Sequence, residues 1–380
     1  MKVLHIITGL GIGGAEQQLR LLLRKLPTES EVVTLSNPGP VARGIVADGV
    51  PVTDLAMRGN QDLGALPRLT RHIRRGGYDL VHTHLYRACV YGRFAARLAG
   101  VRSVIATEHS LGAVQIEGRP LSMGARSLYL AGERLGSATV AVSDTVARRL
   151  ERWGVRRDRI HVVPNGIEVG RFAFDEAARR EVRERLGLPQ DAFVVGGVGR
   201  LTGSKRFETL VHAVSDLAGA RLLLVGEGSE RNRLTRLAEE RGARDRILLY
   251  GACQEPPAPA RALSLPALLS AMDVFVSTSH DEAFGLAIVE ALAAGLPVLH
   301  VTCPALQDLP AEAAPGARRI SGSVSELVTE LRRFRAAGPR RLPVPPAARH
   351  YDIARSAGQL MAVYESAVRR PAPTREASSS

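Results

Sequence analysis

The chain has 380 residues, of which 45% are hydrophobic and 4% aromatic, and its formal net charge is +13. Because this length exceeds what one hydrophobic core usually organises, we expect two domains. The three cysteines lie far apart and predict neither a disulfide framework nor a zinc site, which is typical of a protein in the reducing cytoplasm. The sequence also has no basic segment interleaved with aromatic residues, which argues against nucleic acid as a partner.

The basic residues are concentrated in the first half, notably in residues 68–75 and 148–159. An anionic membrane surface, phosphorylated substrates and a compositional bias towards arginine can each explain this, so a peripheral contact with the inner membrane face stays open. No run of about 18 apolar residues predicts a membrane span. Nearly all basic residues are arginine, and Lys205 is one of three lysines.

In the first half, short apolar runs alternate with amphipathic helical patterns, which predicts a parallel sheet with crossover helices. Strands are expected at 2–8, 31–35, 51–55, 79–83, 103–107, 138–142 and 160–163. Helices are expected at 15–25, 64–75, 86–99 and 144–152, the last with Ser143 as its N-cap.

The pattern restarts after residues 162–172, a turn-rich joint that contains Pro and Asn-Gly. Strands are then expected at 193–198, 220–225, 247–250, 273–277 and 297–301. Helices are expected at 175–186, 206–218, 229–241, 285–294 and 351–369. Residues 255–266 are interpreted as a proline-rich loop and residues 340–350 as a linker.

The fold class is therefore α/β, with two Rossmann-like doubly wound domains that face a cleft. The first domain is expected to comprise residues 1–168 and the second residues 169–345, with the helix at 351–369 packing back on the first. The tail at 370–380 is too polar and too rich in proline to fold. Since such sheets bind ligands at the carboxyl ends of their strands, the cleft is expected to hold the site.

The Gly-x-Gly-x-x-Gly motif at residues 9–14 has the spacing of a dinucleotide-binding turn. A dehydrogenase also needs an acidic side chain after the second strand, where this chain has Ser36 and Asn37. This absence argues against a dehydrogenase. The start of the following helix, at Gly13 and Gly14, still suits an anion, whereas the first two glycines are equally explained by a tight turn.

Two cations follow a strand in the second half. Arg200 and Lys205 lie five residues apart in a glycine-containing loop that leads into a helix. Arginine supplies a planar fork and lysine a point charge, so both can converge on a diphosphate. The alternative is a pair of solvated surface cations.

The segment HDEAFGLAIVEALAAGLPVL, residues 280–299, contains two separated carboxylates. Glu282 and Glu290 lie eight residues apart, about 12 Å along a helix at about 1.5 Å per residue. This distance suits an elongated ligand rather than a shared proton. Between the two carboxylates, N–H groups of Phe284, Gly285 and Leu286 can meet a phosphate. Glu290 interrupts an apolar helix, and a carboxylate there needs a partner or a ligand.

Histidines occur at the ends of two first-half strands. His84 and His109 are expected to face the cleft, and His82 precedes His84 by two residues. A structural imidazole is the better interpretation for His82 and His84, whereas His109 closes a continuous apolar strand and is a candidate site residue. No His/Cys cluster has metal-ligand spacing.

Successive motifs along nearly the whole chain resemble glycosyltransferase family 4, whose members are retaining, nucleotide-sugar-dependent enzymes with the two-domain GT-B fold. The motifs are GGAEQQL, HTHLYRA, ATEHS, VSDTVARRL, VPNGIE, GRLTGSK, VGEGSER and EAFGLAIVEALAAGLPV. The two glutamates of the last motif are its most specific part.

This resemblance implies roles for single residues. Arg200 and Lys205 would bind the donor diphosphate. Glu282 would position the donor sugar, and Glu290 would take the ribose hydroxyls. His109 would contact the sugar near its transferring carbon.

The main chain of residues 284–286 would touch phosphate or sugar, and Gly13 and Gly14 would close over the donor from the first domain. The base would lie near Gly251–Gln254. There the proline-rich segment 255–266 departs from the short loop that is usual in the family.

The expected reaction is transfer of a hexosyl unit from a nucleoside-diphosphate sugar to a hydroxyl of a saccharide, lipid-linked or natural-product acceptor, with retained configuration. UDP is expected by its frequency in the family. No cofactor and no metal are expected, because no Asp-x-Asp pair follows a strand. A non-catalytic nucleotide-sugar-binding protein is the alternative from another class.

Overall fold

The structure is a computed structural model and describes residues 1–59, 62, 64–112, 115–116, 119–120, 122–253 and 262–369. The strands of the first half are β1 (Lys2–Ile7), β2 (Glu29–Thr34), β3 (Val52–Asp54), β4 (Leu80–His84), β5 (Val104–Glu108), β6 (Gln115–Ile116), β7 (Arg119–Pro120), β8 (Ala138–Ala141) and β9 (Ile160–Val162). The helices of this half are α1 (Gly14–Leu23), α2 (Gly39–Ala47), α3 (Ala65–Gly76), α4 (Tyr86–Ala99), α5 (Met123–Glu133) and α6 (Asp144–Trp153).

The second half repeats this alternation. Its strands are β10 (Phe193–Val198), β11 (Ala220–Val225), β12 (Ile247–Gly251), β13 (Val274–Ser277), β14 (Val298–His300) and β15 (Ala317–Arg319). Its helices are α7 (Glu176–Arg185), α8 (Phe207–Ser215), α9 (Arg231–Glu240), α10 (Leu265–Ala271), α11 (Leu286–Ala293), α12 (Pro304–Gln307), α13 (Val324–Ala337), α14 (Pro346–His350) and α15 (Ile353–Arg369).

Seven parallel strands form the first sheet, in the order β3-β2-β1-β4-β5-β8-β9. Strands β4 and β5 are buried along their whole length, because helices cover both faces of the sheet. The seven predicted strands are all present. The short pair β6–β7 and the helices α2 and α5 were not predicted; in α2, a glycine and a proline at the start obscure the helical pattern.

Six parallel strands form the second sheet, in the order β12-β11-β10-β13-β14-β15. The edge strand β15 and the helices α10, α12, α13 and α14 were not predicted. The interpretation of residues 340–350 as a linker is wrong for its last five residues, where α14 begins at Pro346. Proline suits a first helical turn because its fixed φ is already helical and its missing N–H is not needed there.

The C-terminal helix α15 packs on the first sheet. Ile353 and Tyr364 share a buried apolar cluster with Leu80 of β4. The chain passes very close to this helix at Gly166, where a Cβ atom would lie 2.6 Å from the Cα atom of Ile353. Glycine is therefore required for the crossing. The tail at 370–380, predicted to be disordered, lies outside the described residues.

The largest apolar cluster extends through both domains, from Tyr129 and Trp153 in the first to Phe275 and Phe284 in the second. Residues at the carboxyl ends of strands in both sheets line a common cleft, which confirms the predicted two-domain α/β fold. Among the helices that the structure describes, none is both long enough and apolar enough to cross a membrane.

Candidate active site in the interdomain cleft

A cavity of about 900 Å³ lies between the two sheets and is lined by residues of both domains. Its size and its position at the carboxyl ends of parallel strands are typical of a ligand site. Ten candidate residues of the sequence analysis line it, namely Gly13, Gly14, His109, Arg200, Lys205, Glu282, Phe284, Gly285, Leu286 and Glu290. The fold thus brings together residues that are up to 277 positions apart (290 − 13).

The two cations of the second domain follow β10. Arg200 is exposed to the cavity, and Lys205 ends a single 3-10 turn at Gly203–Lys205. The Nζ atom of Lys205 lies 2.5 Å from Oε1 of Glu282, and both side chains are mostly buried. Two residues that the sequence assigned to different parts of a ligand therefore form one ion pair.

The start of α11 is open towards the cavity. Gly285 precedes it with a φ of +104°, and a Cβ atom there would lie 2.7 Å from Sγ of Cys303. Only glycine fits both constraints. No side chain of the described residues caps this helix, so the first N–H groups and the positive end of the helix dipole can meet an anion. Glu290 is half-buried one turn further along and also lines the cavity.

The opposite wall of the cavity includes the start of α1. Gly14 lies so close to α11 that a Cβ atom would be 3.3 Å from Cδ1 of Leu286. A Cβ atom at Gly13 would instead collide with the carboxylate of Glu16, which folds back over the same helix start. Glu16 lines the cavity and was missed by the sequence analysis. A glutamate at the third helical position was the available signal, since it often returns to the N-cap.

His109 lines the cavity, but its ring nitrogens face the interior. Its Nε2 atom lies 3.2 Å from Nδ1 of His84, and its Nδ1 atom is buried without a partner among the described residues. The chain of contacts continues from Nε2 of His84 to Nδ1 of His5 at 3.2 Å. Burial lowers the pKa of His109 to about 4 and that of His84 well below its usual value, so both are neutral at pH 7.

The expectation that His84 faces the cleft is wrong. It is fully buried beside His82, because α15 covers this face of the sheet and Tyr364 of that helix lies 2.6 Å from Nδ1 of His82. Nitrogens of His5, His82 and His84 approach within 4.8 Å of one another, a grouping that a metal ion could use. Both nitrogens of His82 are engaged, however, since Nε2 lies 2.7 Å from Oγ1 of Thr107. The hydrogen bonds therefore engage both nitrogens of His82, whereas Nε2 of His5 is buried without a partner among the described residues.

Ion pairs cover much of the first-domain wall. Arg20 is bidentate with Asp48, at 2.6 and 3.1 Å, and Arg24 lies 3.4 Å from Glu168. All four residues line the cavity, and the sequence analysis missed them. A buried arginine on the apolar face of α1 was the one available signal.

The region predicted to hold the base is described in part. Gly226 and Glu227, at the end of β11, line the cavity together with Cys253. Gln254, the last residue of the predicted base region, lies outside the described residues.

Comparisons with known proteins agree with this architecture. Residues 12–171 match the sequence family described as Glycosyltransferase Family 4, and residues 178–341 match Glycosyl transferases group 1. The chain therefore belongs to the glycosyltransferases of family 4 and group 1. The family resemblance read from the sequence is confirmed.

Two relatives and one solved structure illustrate the similarity. A D-inositol 3-phosphate glycosyltransferase of Xylanimonas cellulosilytica is 33% identical over 61% of this chain and 57% of its own length. The chain thus spans little more than half of that relative. A 2-deoxystreptamine glucosyltransferase of Streptomyces kanamyceticus is 30% identical over 71% of both chains. The crystal structure of Anabaena Alr3699/HepE in complex with UDP and glucose has a TM-score of 0.83 at 21% identity, covering 96% of this chain and all of that one, which shows the shared fold.

Proposed function

We propose that the protein transfers a hexosyl unit from a UDP-sugar to an acceptor hydroxyl, with retention of the anomeric configuration. One observation carries this proposal: Arg200, Lys205, Glu282 and the open start of α11 line the same cavity. These groups are the ones needed to bind a diphosphate beside a sugar. UDP and glucose are the ligands named for the HepE crystals, which supports UDP as the nucleotide.

The leaving diphosphate gains negative charge as the bond between the anomeric carbon and its oxygen breaks. At an effective dielectric constant near 20, a cation about 4 Å away contributes about 4 kcal/mol of Coulomb energy. A helix start adds about 0.5–1 kcal/mol. Because about 1.4 kcal/mol gained in the transition state alone is tenfold in rate, a modest share of this energy suffices for a large acceleration. Lys205 and the start of α11 supply the charge without a metal ion.

Donor binding would also change the ion pair between Lys205 and Glu282. The Nζ atom of Lys205 donates to Oε1 of Glu282 at 2.5 Å. A bound diphosphate would take over Lys205, and the Glu282 carboxylate would then accept hydrogen bonds from sugar hydroxyls. Glu290, one turn into α11, would accept the ribose hydroxyls. In a same-face attack, the departing phosphate oxygen accepts the proton of the acceptor hydroxyl, and no protein nucleophile is required.

The acceptor side is the first-domain wall. The two relatives are named for cyclitol acceptors, inositol phosphate and 2-deoxystreptamine, and the first-domain wall combines paired arginines with carboxylates that suit hydroxyl groups. We propose a saccharide, cyclitol or lipid-linked acceptor. An acceptor in the lipid phase would agree with the basic first half and with peripheral membrane contact.

A donor screen tests the proposal. UDP-, GDP- and dTDP-sugars are compared by thermal shift, and the preferred donor is then assayed for transfer with and without EDTA. We expect UDP-sugars to give the largest shift and EDTA to leave the rate unchanged. Binding without transfer or hydrolysis would favour the non-catalytic alternative, and loss of activity with EDTA would contradict the metal-free mechanism.

A variant links this screen to the structure. Glu290→Gln should lower kcat/KM for the donor at least about tenfold, the loss expected for one charged hydrogen bond. Glu184→Gln on α7 is the matched control, because Glu184 is exposed and does not line the cavity. Equal rates for the two variants would contradict the assignment of Glu290.

A further inference from the structure

The start of α6 in the first domain is hydrogen-bonded to the second domain. Ser143 caps this helix by accepting from the backbone N–H of Val146 at 3.1 Å, and its Oγ atom also donates to the main-chain oxygen of Ala283 at 2.6 Å. The backbone N–H of Asp144 donates to Oδ2 of Asp308 at 3.0 Å. The second-domain carboxylate therefore lies at the positive end of a first-domain helix.

Arg149, on the same helix, binds three acceptors at once. Its guanidinium donates to the main-chain oxygen of Leu111 at 2.8 Å and to that of Glu282 at 3.3 Å. It also forms an ion pair with Asp281 at 2.8 Å, and its side chain is only 14% exposed. Leu111 follows His109 by two residues, so one side chain connects the His109 loop of the first domain with the Glu282 loop of the second.

Three consecutive residues of the second domain thus have first-domain partners. These are the side chain of Asp281, the carbonyl of Glu282 and the carbonyl of Ala283. From within the second domain, Lys205 holds the Glu282 carboxylate. The main chain of Glu282 is consequently fixed by one domain and its side chain by the other.

We propose that Arg149 and Ser143 form an interdomain latch that positions Glu282 for transfer, with Arg149 as a positioning residue outside the donor site. Arg200, Lys205 and the start of α11 all belong to the second domain, so binding of UDP does not need the latch. Transfer requires Glu282 to be held in a fixed position relative to the first-domain wall. Transfer therefore needs the latch. The kinetic part of this inference rests on the proposed function.

The planar guanidinium group explains why the residue at position 149 is an arginine. A guanidinium can direct several N–H groups at acceptors in one plane, whereas a lysine ammonium is a point donor on a flexible stem. Arg149→Lys should keep the ion pair with Asp281 and lose part of the carbonyl contacts. Arg152→Ala is the matched control, because Arg152 lies on the same helix, carries the same charge and is exposed.

The experiment compares the wild type with Arg149→Ala, Arg149→Lys and Arg152→Ala. The measurements are kcat for transfer, the Kd of UDP, and hydrogen exchange of the segment 281–284 in the ligand-free protein. Arg149→Ala should lower kcat at least about tenfold, as expected for a hydrogen-bonded charge that is mostly buried, with the Kd of UDP changed less than about twofold. Exchange at 281–284 should be faster. Arg149→Lys should be intermediate, and Arg152→Ala should match the wild type.

Two results would overturn the latch. Arg149→Ala could equal Arg152→Ala in both kcat and exchange, or it could lose UDP affinity in proportion to kcat, as a purely structural residue would. If no donor supports transfer by the wild type, the proposed function fails independently. Hydrogen exchange then still decides the latch, because faster exchange at 281–284 in Arg149→Ala supports it and unchanged exchange refutes it.

Discussion

The two walls of the cleft are built on the same kind of parallel sheet, yet their strand ends carry different chemistry. The second domain presents Arg200, Lys205 and an uncapped helix start to the cavity. In the first domain, the neutral histidines His5, His82 and His84 are fully buried beneath the cavity wall. His109 is the member of this cluster that lines the cavity. One wall is thus ready for an anion, whereas Arg20 and Arg24, which line the other wall, are ion-paired with Asp48 and Glu168.

This difference shows that the doubly wound sheet supplies a place for a site but not its charge. Both β1–α1 and β10–α8 are glycine-containing turns between a strand and a helix. In the first, Glu16 folds back over the helix start. In the second, Lys205 holds the Glu282 carboxylate at the cavity. The side chains that follow the turn therefore decide what each wall can bind.

The largest expected effect is a loss of folding stability at low pH, and it comes from the neutral histidines of the first domain. Burial lowers the pKa of His5 to about 3 and that of His109 to about 4, and lowers the pKa of His82 and His84 well below its usual value. In the unfolded chain these groups titrate near 6.5. Their contribution to stability is therefore fully present above about pH 6.5. It is lost as the pH falls from about 6.5 towards 4, at up to about 1.4 kcal/mol per pH unit for each group.

Urea unfolding at pH 7.5, 6.0 and 5.0 measures this loss. Trp153, the single tryptophan, lies on α6 of the first domain, so its fluorescence reports on the domain that holds the cluster. We expect the free energy of unfolding to fall by several kcal/mol across this range. The slope of the unfolding free energy against pH gives the number of protons taken up on unfolding. His5→Gln should lower this number by about one. A free energy that is constant between pH 7.5 and 5.0 would contradict neutral burial.

The next largest expected effect is a loss of activity when a cation is removed from the second-domain wall, which carries Arg200 and Lys205. Lys205→Ala should lower kcat/KM about 10- to 100-fold, since a charged hydrogen bond to the leaving group is worth about 1.5–3 kcal/mol. Lys25→Ala is the matched control from the other domain, because Lys25 lies 3.8 Å from Glu168 and is 41% exposed. An exposed pair of this kind contributes about 0–1 kcal/mol. If both variants lost activity equally, the contrast between the walls would be wrong.

The charged wall could be read from the sequence because its residues lie close together in the chain. Arg200 and Lys205 share one loop, and Glu282 and Glu290 flank one helix start. The ion pair between Lys205 and Glu282 was not predicted, since its partners are 77 residues apart. Such a contact depends on which strands neighbour each other, and a pattern of elements does not fix that order.

The histidine network could not be predicted either, because it also depends on which strands neighbour each other. His82 and His84 lie two residues apart on β4 and therefore share one face of the sheet. His5 joins them only because β1 pairs with β4 in the register that places it beside His82. The interdomain contacts of Arg149 require the relative position of two domains, which no local pattern encodes. The strands, in contrast, were predictable because burial on both faces requires continuous apolar runs.

The smallest expected effect is a difference in thermal stability between glycine variants at the starts of α11 and α1, which differ in backbone geometry. Gly285→Ala places a side chain at a φ of +104° and against Sγ of Cys303. Strain of this kind costs about 1–3 kcal/mol. Gly14→Ala is the matched control in the first domain, because its Cβ atom would meet only Cδ1 of Leu286, at 3.3 Å, and this flexible side chain can move. Thermal unfolding should show a lower Tm for Gly285→Ala and a nearly unchanged one for Gly14→Ala. A lower Tm for Gly14→Ala alone would mean that the approach of α1 to α11, rather than the left-handed turn before α11, is the tighter constraint on the cleft.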